Sequence, residues 1–391
     1  MKRAIIVTAL TGFVRAFLLY DISVLKELGY EVDCAANGKG DSESELDNEK
    51  YFNKLDVKFH QIDFSSNKPI SKKTVQSYWQ LKNLFQKNKY DLILVHTPIP
   101  GVLVRLVAKN IRKKNPRLKV VYTTHGFYFH EKGSKKQNII YYNIECLMSK
   151  YTDAIVTINN EDFVAAKTMK CKKIFHINGV GVDTKKYRIE NFDRNGYRKK
   201  LNIPDSKIVL LSIGELSYRK NYQVAIKAMA RIDNKNLVYL ICGKGLVGAG
   251  IMDELKKIAV ELGVDVRFLG YRTDIPEIIA SSDIGIIPSS REGLGLAGIE
   301  MLAGGIPVVG SSVQGIKDYI VNGETGYLAD PYSEIEFSEG LKKLLNEEKR
   351  KQMISKCIKM AKKFDNEISH NQIKKIYVEL DKKIEECTYE K

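Results

Sequence analysis

The chain has 391 residues, a net charge of +16 and 44% hydrophobic residues, which suits a folded protein of two domains at roughly 100–200 residues each. No apolar run reaches the roughly 18 residues of a spanning helix, so no segment is expected to cross a membrane. Six cysteines, at 34, 146, 171, 242, 357 and 387, form no C-x-x-C pair and no metal-ligand spacing; this is the pattern of reduced thiols in a cytoplasm, and a metal site finds no support.

Lys2 and Arg3 precede an apolar run at 4–10 in the manner of a secretory signal, but Arg15 interrupts the apolar region and no clear cleavage site follows. The run reads instead as a first strand. Further short β-branched runs at 31–35, 57–61, 92–96, 120–124, 154–157 and 174–178 alternate with longer amphipathic segments, as repeated βα units around a parallel sheet do. Ligands of such sheets collect beyond the carboxyl ends of the strands, so the polar residues just after each strand are the candidates.

In the first half these are Gly12, His96 and His125. Gly12 lies between the first strand and a helix carrying Phe13, Phe17, Leu18 and Leu25; it either lets a substrate approach the backbone or merely permits the turn. His125, followed by Gly126, is the histidine best placed for chemistry. It either holds a sugar hydroxyl or phosphate, or caps the strand end. His60, His96, His130, His176 and His370 show no metal spacing with one another.

Residues 1–200 hold 36 Lys and Arg against 20 Asp and Glu, while residues 201–391 hold 27 of each, so the whole excess lies in the first half. Between Arg105 and Lys136 ten basic residues stand against Glu131 alone. Such a cluster favours an anionic membrane surface, a diphosphate-bearing substrate or nucleic acid. A lysine-rich solvated surface explains scattered lysines but not the imbalance between the halves.

From 183 to 205 the chain is charged and irregular and reads as a linker. Strands resume at 208–213, 237–242, 266–269, 283–287 and 306–309, and from Ser333 onward the pattern is helical. Arg219 and Lys220 open a helix, where two cations sit badly beside the dipole unless an anion lies between them; a solvated basic loop is the plainer reading of the dipeptide alone. Gly243, Lys244, Gly245, Leu246, Val247 and Gly248 satisfy G-x-G-x-x-G, but no acidic residue ends the next strand, so they read as a tight turn near a ligand rather than a dinucleotide fingerprint.

The most telling stretch follows the strand at 283–287. Glu292 lies in a Gly-bearing turn, and Glu300 lies eight residues later in a helix marked by Leu296, Ile299, Met301 and Leu302. The turn aims backbone N–H groups and a helix dipole at one point, so the two carboxylates flank an anion site. Singly, either could be a salt-bridged surface glutamate.

Taken together, these motifs resemble glycosyltransferase family 4, the retaining nucleotide-sugar transferases of the GT-B fold. The Glu-x7-Glu signature is matched by Glu292 and Glu300, and the resemblance extends to Asn178-Gly179-Val180-Gly181-Val182-Asp183, to Gly270-Tyr271-Arg272-Thr273-Asp274-Ile275 and to Gly323-Glu324-Thr325-Gly326-Tyr327. The resemblance implies two facing Rossmann-like domains, an acceptor domain at 1–190 and a nucleotide-sugar domain at 200–365, with the C-terminal helix at about 366–391 packing back on the first.

It further implies that Glu300 binds the ribose and Glu292 the donor sugar, with the amides of Gly293, Leu294, Gly295 and Leu296 near sugar and phosphate. Lys220, helped by Arg219, would hold the diphosphate, and backbone at Tyr271 and Arg272 would meet the base. His125 and Gly12 would contribute from the acceptor side, with no metal or other cofactor. Glu215 stands where many members carry the phosphate-binding arginine, so Arg219 is the expected substitute. Gly214-Glu215-Leu216 and Thr124-His125-Gly126-Phe127-Tyr128-Phe129 resemble the bacterial capsule and exopolysaccharide branch, which implies a UDP-sugar donor, a saccharide on undecaprenyl diphosphate and a cytoplasmic enzyme peripheral to the inner face of the membrane. Competing readings are a nucleotide-sugar epimerase or phosphorylase, and last a non-catalytic nucleic-acid or membrane binder; no nucleic-acid partner is expected.

Overall fold

A computed structural model describes residues 2–39, 47–65, 70–245 and 250–389, with side chains up to residue 382. The chain divides into two compact units: Met1–Phe129 with Gly133–Val180 and Ser369–Lys391, and His130–Lys132 with Gly181–Ile368.

The first unit is built on β1 (Lys2–Leu10), β2 (Tyr30–Asn37), β3 (Lys58–Gln61), β4 (Leu92–His96), β5 (Lys119–Thr124), β6 (Ala154–Thr157) and β7 (Lys173–His176). Among the described residues these form one seven-stranded sheet in the order β3-β2-β1-β4-β5-β6-β7, parallel throughout. The second unit is built on β8 (Ile208–Ile213), β9 (Leu237–Cys242), β10 (Val266–Gly270), β11 (Ile284–Ile287), β12 (Val308–Ser311) and β13 (Gly326–Ala329). Their order is β10-β9-β8-β11-β12-β13, again all parallel.

The central strands are apolar on both faces because helices cover both. Leu92, Ile93, Leu94 and Val95 are buried, as are all six residues of β9. Continuous apolar runs of this kind are why β4, β6, β8 and β9 coincide with the runs expected from sequence. β11 starts one residue late, at Ile284, since the Asp283 side chain instead accepts the Val209 N–H at 2.8 Å and pairs with Arg198 at 2.7 Å. β12 starts two residues late, at Val308, just past Pro307, which has no N–H to offer a ladder.

Two features depart from expectation. The stretch read as a linker contains a 3-10 turn, Thr184–Tyr187, and a helix, Arg194–Lys200, anchored by buried Arg198 rather than by an apolar stripe. Gly12 lies within the first turn of a helix, Thr11–Phe17, not ahead of it; a second helix, Leu19–Glu27, follows a break at Leu18. Of the G-x-G-x-x-G stretch, Gly243 to Gly245 are described, and Leu246, Val247 and Gly248 lie outside the described residues.

From Ser369 the last helix, Asn366–Tyr389, belongs to the first unit. There Asp381 accepts from Lys2 at 2.8 Å and Tyr30 at 2.6 Å, and His370 stacks on Tyr20 at 3.6 Å between ring centroids. In each sheet the strand order reverses at one place, between β1 and β4 and between β8 and β11. Crevices beyond the strand ends open at such reversals. Gly12 and His96 flank the first; Lys220 and Glu292 come from the two loops flanking the second.

Candidate active site

In the second unit, glycine clears the strand ends. Gly214, just past β8, has φ 152°, and a Cβ there would stand 3.0 Å from Lys220 Cε and 3.2 Å from the Tyr222 hydroxyl. At Gly243, just past β9, a Cβ would overlap the Gly214 carbonyl. Backbone therefore packs against backbone where the two strands end, and Tyr222 closes the floor by donating to the Gly214 carbonyl at 3.0 Å.

Over this floor stands a cluster of charge. Lys220 Nζ lies 2.8 Å from Glu292 Oε2, and Arg219 Nη1 reaches the same oxygen at 3.0 Å. Ser289 donates to it as well, at 3.1 Å. Arg219 also pairs through Nη2 with Glu215 at 2.9 Å, and its carbonyl accepts the Ser290 N–H at 2.9 Å, which ties the two loops together. Burial by itself would raise the Glu292 pKa; Lys220 and then Arg219 outweigh it and hold the carboxyl below its ordinary value. Glu292 is therefore a carboxylate, and two cations are gathered at one point. Arg219, from the same loop as Glu215, thus bridges the two carboxylates Glu292 and Glu215.

Glu292 leads into a tight turn that ends in Gly295, left-handed at φ 75°, ahead of the helix Leu296–Ala303. Buried Tyr319 wedges beneath this turn and donates to the Gly295 carbonyl at 3.1 Å; a side chain at Gly298 would overlap its hydroxyl. On the other side a Cβ at Gly315 would overlap the Gly293 carbonyl. Gly293, Leu294, Gly295 and Leu296 are therefore held by packing, with Leu294 buried and the first-turn amides of the helix on the same stretch. Glu300, a turn further on, hydrogen-bonds to Tyr187 from the 3-10 turn. Burial raises its pKa, and the Tyr187 hydrogen bond only partly opposes this.

Past β10, Tyr271 is two-thirds exposed and Lys244 Nζ stands 5.2 Å over its ring. The Arg272 side chain is occupied by Asp274 at 2.5 Å, and Tyr197 donates to the same carboxylate at 2.5 Å. An exposed aromatic face beside an anchored backbone suits a flat ring system.

In the first unit His125, after β5, lies with Nε2 3.0 Å from His96 Nδ1, and Phe13 meets its ring edge-on at 4.8 Å. Phe13 adjoins Gly12, which brings both acceptor-side candidates to one strand-end neighbourhood. Burial lowers the His125 pKa to about 4, and burial with the neighbouring His125 drives His96 well below its ordinary value. The pair is neutral at physiological pH. Among the described residues no group of His, Cys, Asp and Glu could hold a metal ion.

The structure brings the expected Arg219, Lys220 and Glu292 into one cluster, with Gly293 to Leu296 in the turn that follows and Glu300 on the next helix, where Tyr187 reaches it from the 3-10 turn. Sequence reasoning missed Tyr187, Tyr319, Ser289 and His96 as partners. The aromatic residue four positions after Asp183 was the available signal for Tyr187, hidden because that stretch read as a linker.

A model of glycosyl transferases group 1 matches residues 193–363, and one described as glycosyl transferase 4-like matches residues 9–159. A Bacillus subtilis (strain 168) protein named "Putative glycosyltransferase EpsD" is 31% identical over 326 residues, covering 80% of each chain. The chain belongs to the group 1 glycosyltransferases. This glycosyltransferase is also 26% identical over 322 residues to the Escherichia coli UDP-Gal:alpha-D-GlcNAc-diphosphoundecaprenol alpha-1,3-galactosyltransferase, covering 79% of this chain and 80% of that one. Its fold is the GT-B fold of solved glycosyltransferases. Anabaena Alr3699/HepE, solved in complex with UDP and glucose, superposes with a TM-score of 0.76 at 18% identity over 96% of this chain and 99% of that one.

Proposed function

We propose that this glycosyltransferase moves a hexose or N-acetylhexosamine from a UDP-sugar, with retention, to a saccharide carried on a lipid diphosphate in bacterial capsule or exopolysaccharide assembly. The observation that carries the reading is the convergence of Lys220 and Arg219 on Glu292 at the glycine-cleared end of the second sheet. Support for donor and acceptor comes from the Escherichia coli relative, whose name specifies UDP-Gal and a diphosphoundecaprenol, and from the UDP and glucose bound by the Anabaena protein. The basic first half suits an anionic membrane face, and the enzyme is taken as cytoplasmic and peripheral there. Residues 200–365 serve the donor and 1–190 the acceptor.

In this reading Glu300 accepts from the ribose hydroxyls and Glu292 from a donor-sugar hydroxyl. Lys220 and Arg219 take the diphosphate, with the first-turn amides of the helix Leu296–Ala303 beside them. Tyr271 offers its ring face to the base, and the backbone at Arg272 its edge. As the bond from the anomeric carbon to the phosphate oxygen breaks, negative charge grows on the leaving diphosphate and the two cations stabilise it. The acceptor oxygen bonds to the anomeric carbon on the same face, and the departing phosphate takes its proton. His125, neutral, holds an acceptor hydroxyl near Gly12. No metal is required where two cations and a helix dipole meet the diphosphate.

Thermal-shift measurements against UDP, GDP, ADP and their sugars test the donor side without an acceptor. UDP and one UDP-sugar are expected to stabilise the protein most. No shift with any nucleotide would sink the reading.

A further inference from the structure

The first unit holds an apolar groove that nothing in the donor chemistry uses. It has a volume of about 380 Å³, within the range of about 300–1,000 Å³ typical of small-molecule sites. Ile99 and Val102 from the helix Pro98–Ile111, Tyr122 from β5, Phe127 beyond it, and Tyr141 from the helix Lys135–Ser149 line it. It opens beyond the carboxyl ends of β4 and β5, the end that also carries His125. Among its described lining residues one side chain is ionic, Glu145, and buried Arg105 neutralises it from beneath at 2.8 Å, with the guanidinium 4.2 Å over the Tyr122 ring. The groove therefore presents hydrocarbon and aromatic faces rather than a bare charge.

Its mouth is unusual for a water-facing surface. Ile70, Tyr128 and Ile144, which line it, are 95%, 41% and 37% exposed. Along the outer sides of the flanking helices apolar exposure continues through Val75 and Trp79 on Lys72–Lys87 and through Ile139, Ile140 and Leu147 on Lys135–Ser149. Both helices begin with two lysines and carry no acidic residue in the first turn. Four cations at helix N-termini, where the dipole is already positive, gain most from an anion. Hydrocarbon and anionic phosphate belong together in one class of molecule, a lipid phosphate.

We propose that this groove binds the isoprenoid chain of a polyprenyl phosphate or diphosphate, with Lys72, Lys73, Lys135 and Lys136 drawing its head group. The assignment rests on the lipid-linked acceptor proposed above and adds the site that selects the chain.

The test uses the full-length protein in dilute detergent. Val102, half-buried in the groove wall, is replaced in Val102→Trp to fill the groove, and Ile144→Glu places a charge at its mouth. Binding of undecaprenyl phosphate is measured directly, without donor, and transfer is compared between acceptors bearing the same saccharide diphosphate on a long or a single-unit prenyl chain. Wild type is expected to bind the long-chain phosphate and to show at least about a tenfold lower KM for the long-chain acceptor, the scale of two buried methylenes. Both variants are expected to lose that advantage while keeping the wild-type thermal shift with UDP and the wild-type KM for the short-chain acceptor. Equal binding of undecaprenyl phosphate by wild type and variants overturns the proposal, as does a chain-length advantage that survives in both. A wild-type mass that falls from dimer to monomer on dilution, with Ile144→Glu monomeric throughout and no lipid binding by either, would overturn it in favour of a second copy of the chain. Lipid binding without sugar transfer to either acceptor would leave the groove assigned and remove the acceptor reading instead.

Discussion

The two sheets share a topology but end in opposite chemistry. Beyond β8 and β11 the chain places Arg219, Lys220, Glu215 and Glu292 within direct ionic contact, over a floor where glycine keeps side chains out. Beyond β4 and β5 it places two neutral histidines and an apolar, aromatic-walled groove. The same doubly wound scaffold thus carries an ion cluster at one reversal of strand order and a neutral, apolar surface near the other, and only the loops distinguish them. That division can be attacked from either side.

The largest effect is expected from Lys220→Ala. On the proposed role of Lys220 at the leaving diphosphate, its loss should lower kcat by roughly 10²–10³, the scale of a single transition-state donor, while the melting temperature stays near that of wild type. Near-normal turnover would mean the charged end is structural. Glu292→Gln keeps the shape and hydrogen bonding but removes the charge that gathers Lys220 and Arg219, and a loss of about tenfold or more in kcat/KM is expected.

Tyr187→Phe probes Glu300. Burial raises that carboxyl and the Tyr187 hydrogen bond opposes the rise, so removing the hydroxyl lifts it further. Ribose hydroxyls are held best by the carboxylate. UDP affinity should therefore fall as the pH drops through the raised pKa, and the variant should show that fall at higher pH, with affinity about threefold to tenfold weaker overall. An unchanged pH profile by titration calorimetry would count against Glu300 as a ribose ligand.

On the uncharged side, His125 protonates near 6.5 when unfolded but only at about 4 when folded. The unfolded chain therefore takes up the proton first on acidification, and stability is lost between those two values. His125→Gln should flatten the melting temperature over that window. The smallest effect is expected from Glu215→Gln, which frees Arg219 from its second carboxylate and should tighten UDP binding by no more than about fivefold, the limit for an exposed pair. Weaker binding would show that Glu215 positions Arg219 rather than competing for it.

Much of the frame was legible because both-face burial writes itself as unbroken apolar runs, as in Leu92-Ile93-Leu94-Val95 and Leu237 to Cys242. β13 was not, since Gly326-Tyr327-Leu328-Ala329 is short and opens with glycine, and the helix Arg194–Lys200 was not, since a buried Arg198 to Asp283 pair rather than an apolar stripe anchors it. At the site, spacing identified Glu292 and Glu300, and chain order placed Arg219 and Lys220. Which oxygen each cation meets, the pairing of His96 with His125, and the reach of Tyr187 to Glu300 depend on loops from distant strands. No local periodicity encodes those. The apolar groove was equally hidden, because its walls come from three helices, a strand and a loop.

One oxygen of Glu292 accepts from Lys220, Arg219 and Ser289 together. Any incoming anion must therefore compete with a ligand already in place. Free phosphate can offer the cations a substitute, but its own negative charge is repelled by the displaced carboxylate. A nucleotide sugar brings both a diphosphate and a ring of hydroxyls, so it can satisfy each side of the exchange at once. On the proposed donor reading, the resting ion cluster would discriminate against small anions through the protein's own carboxylate rather than through the shape of a pocket.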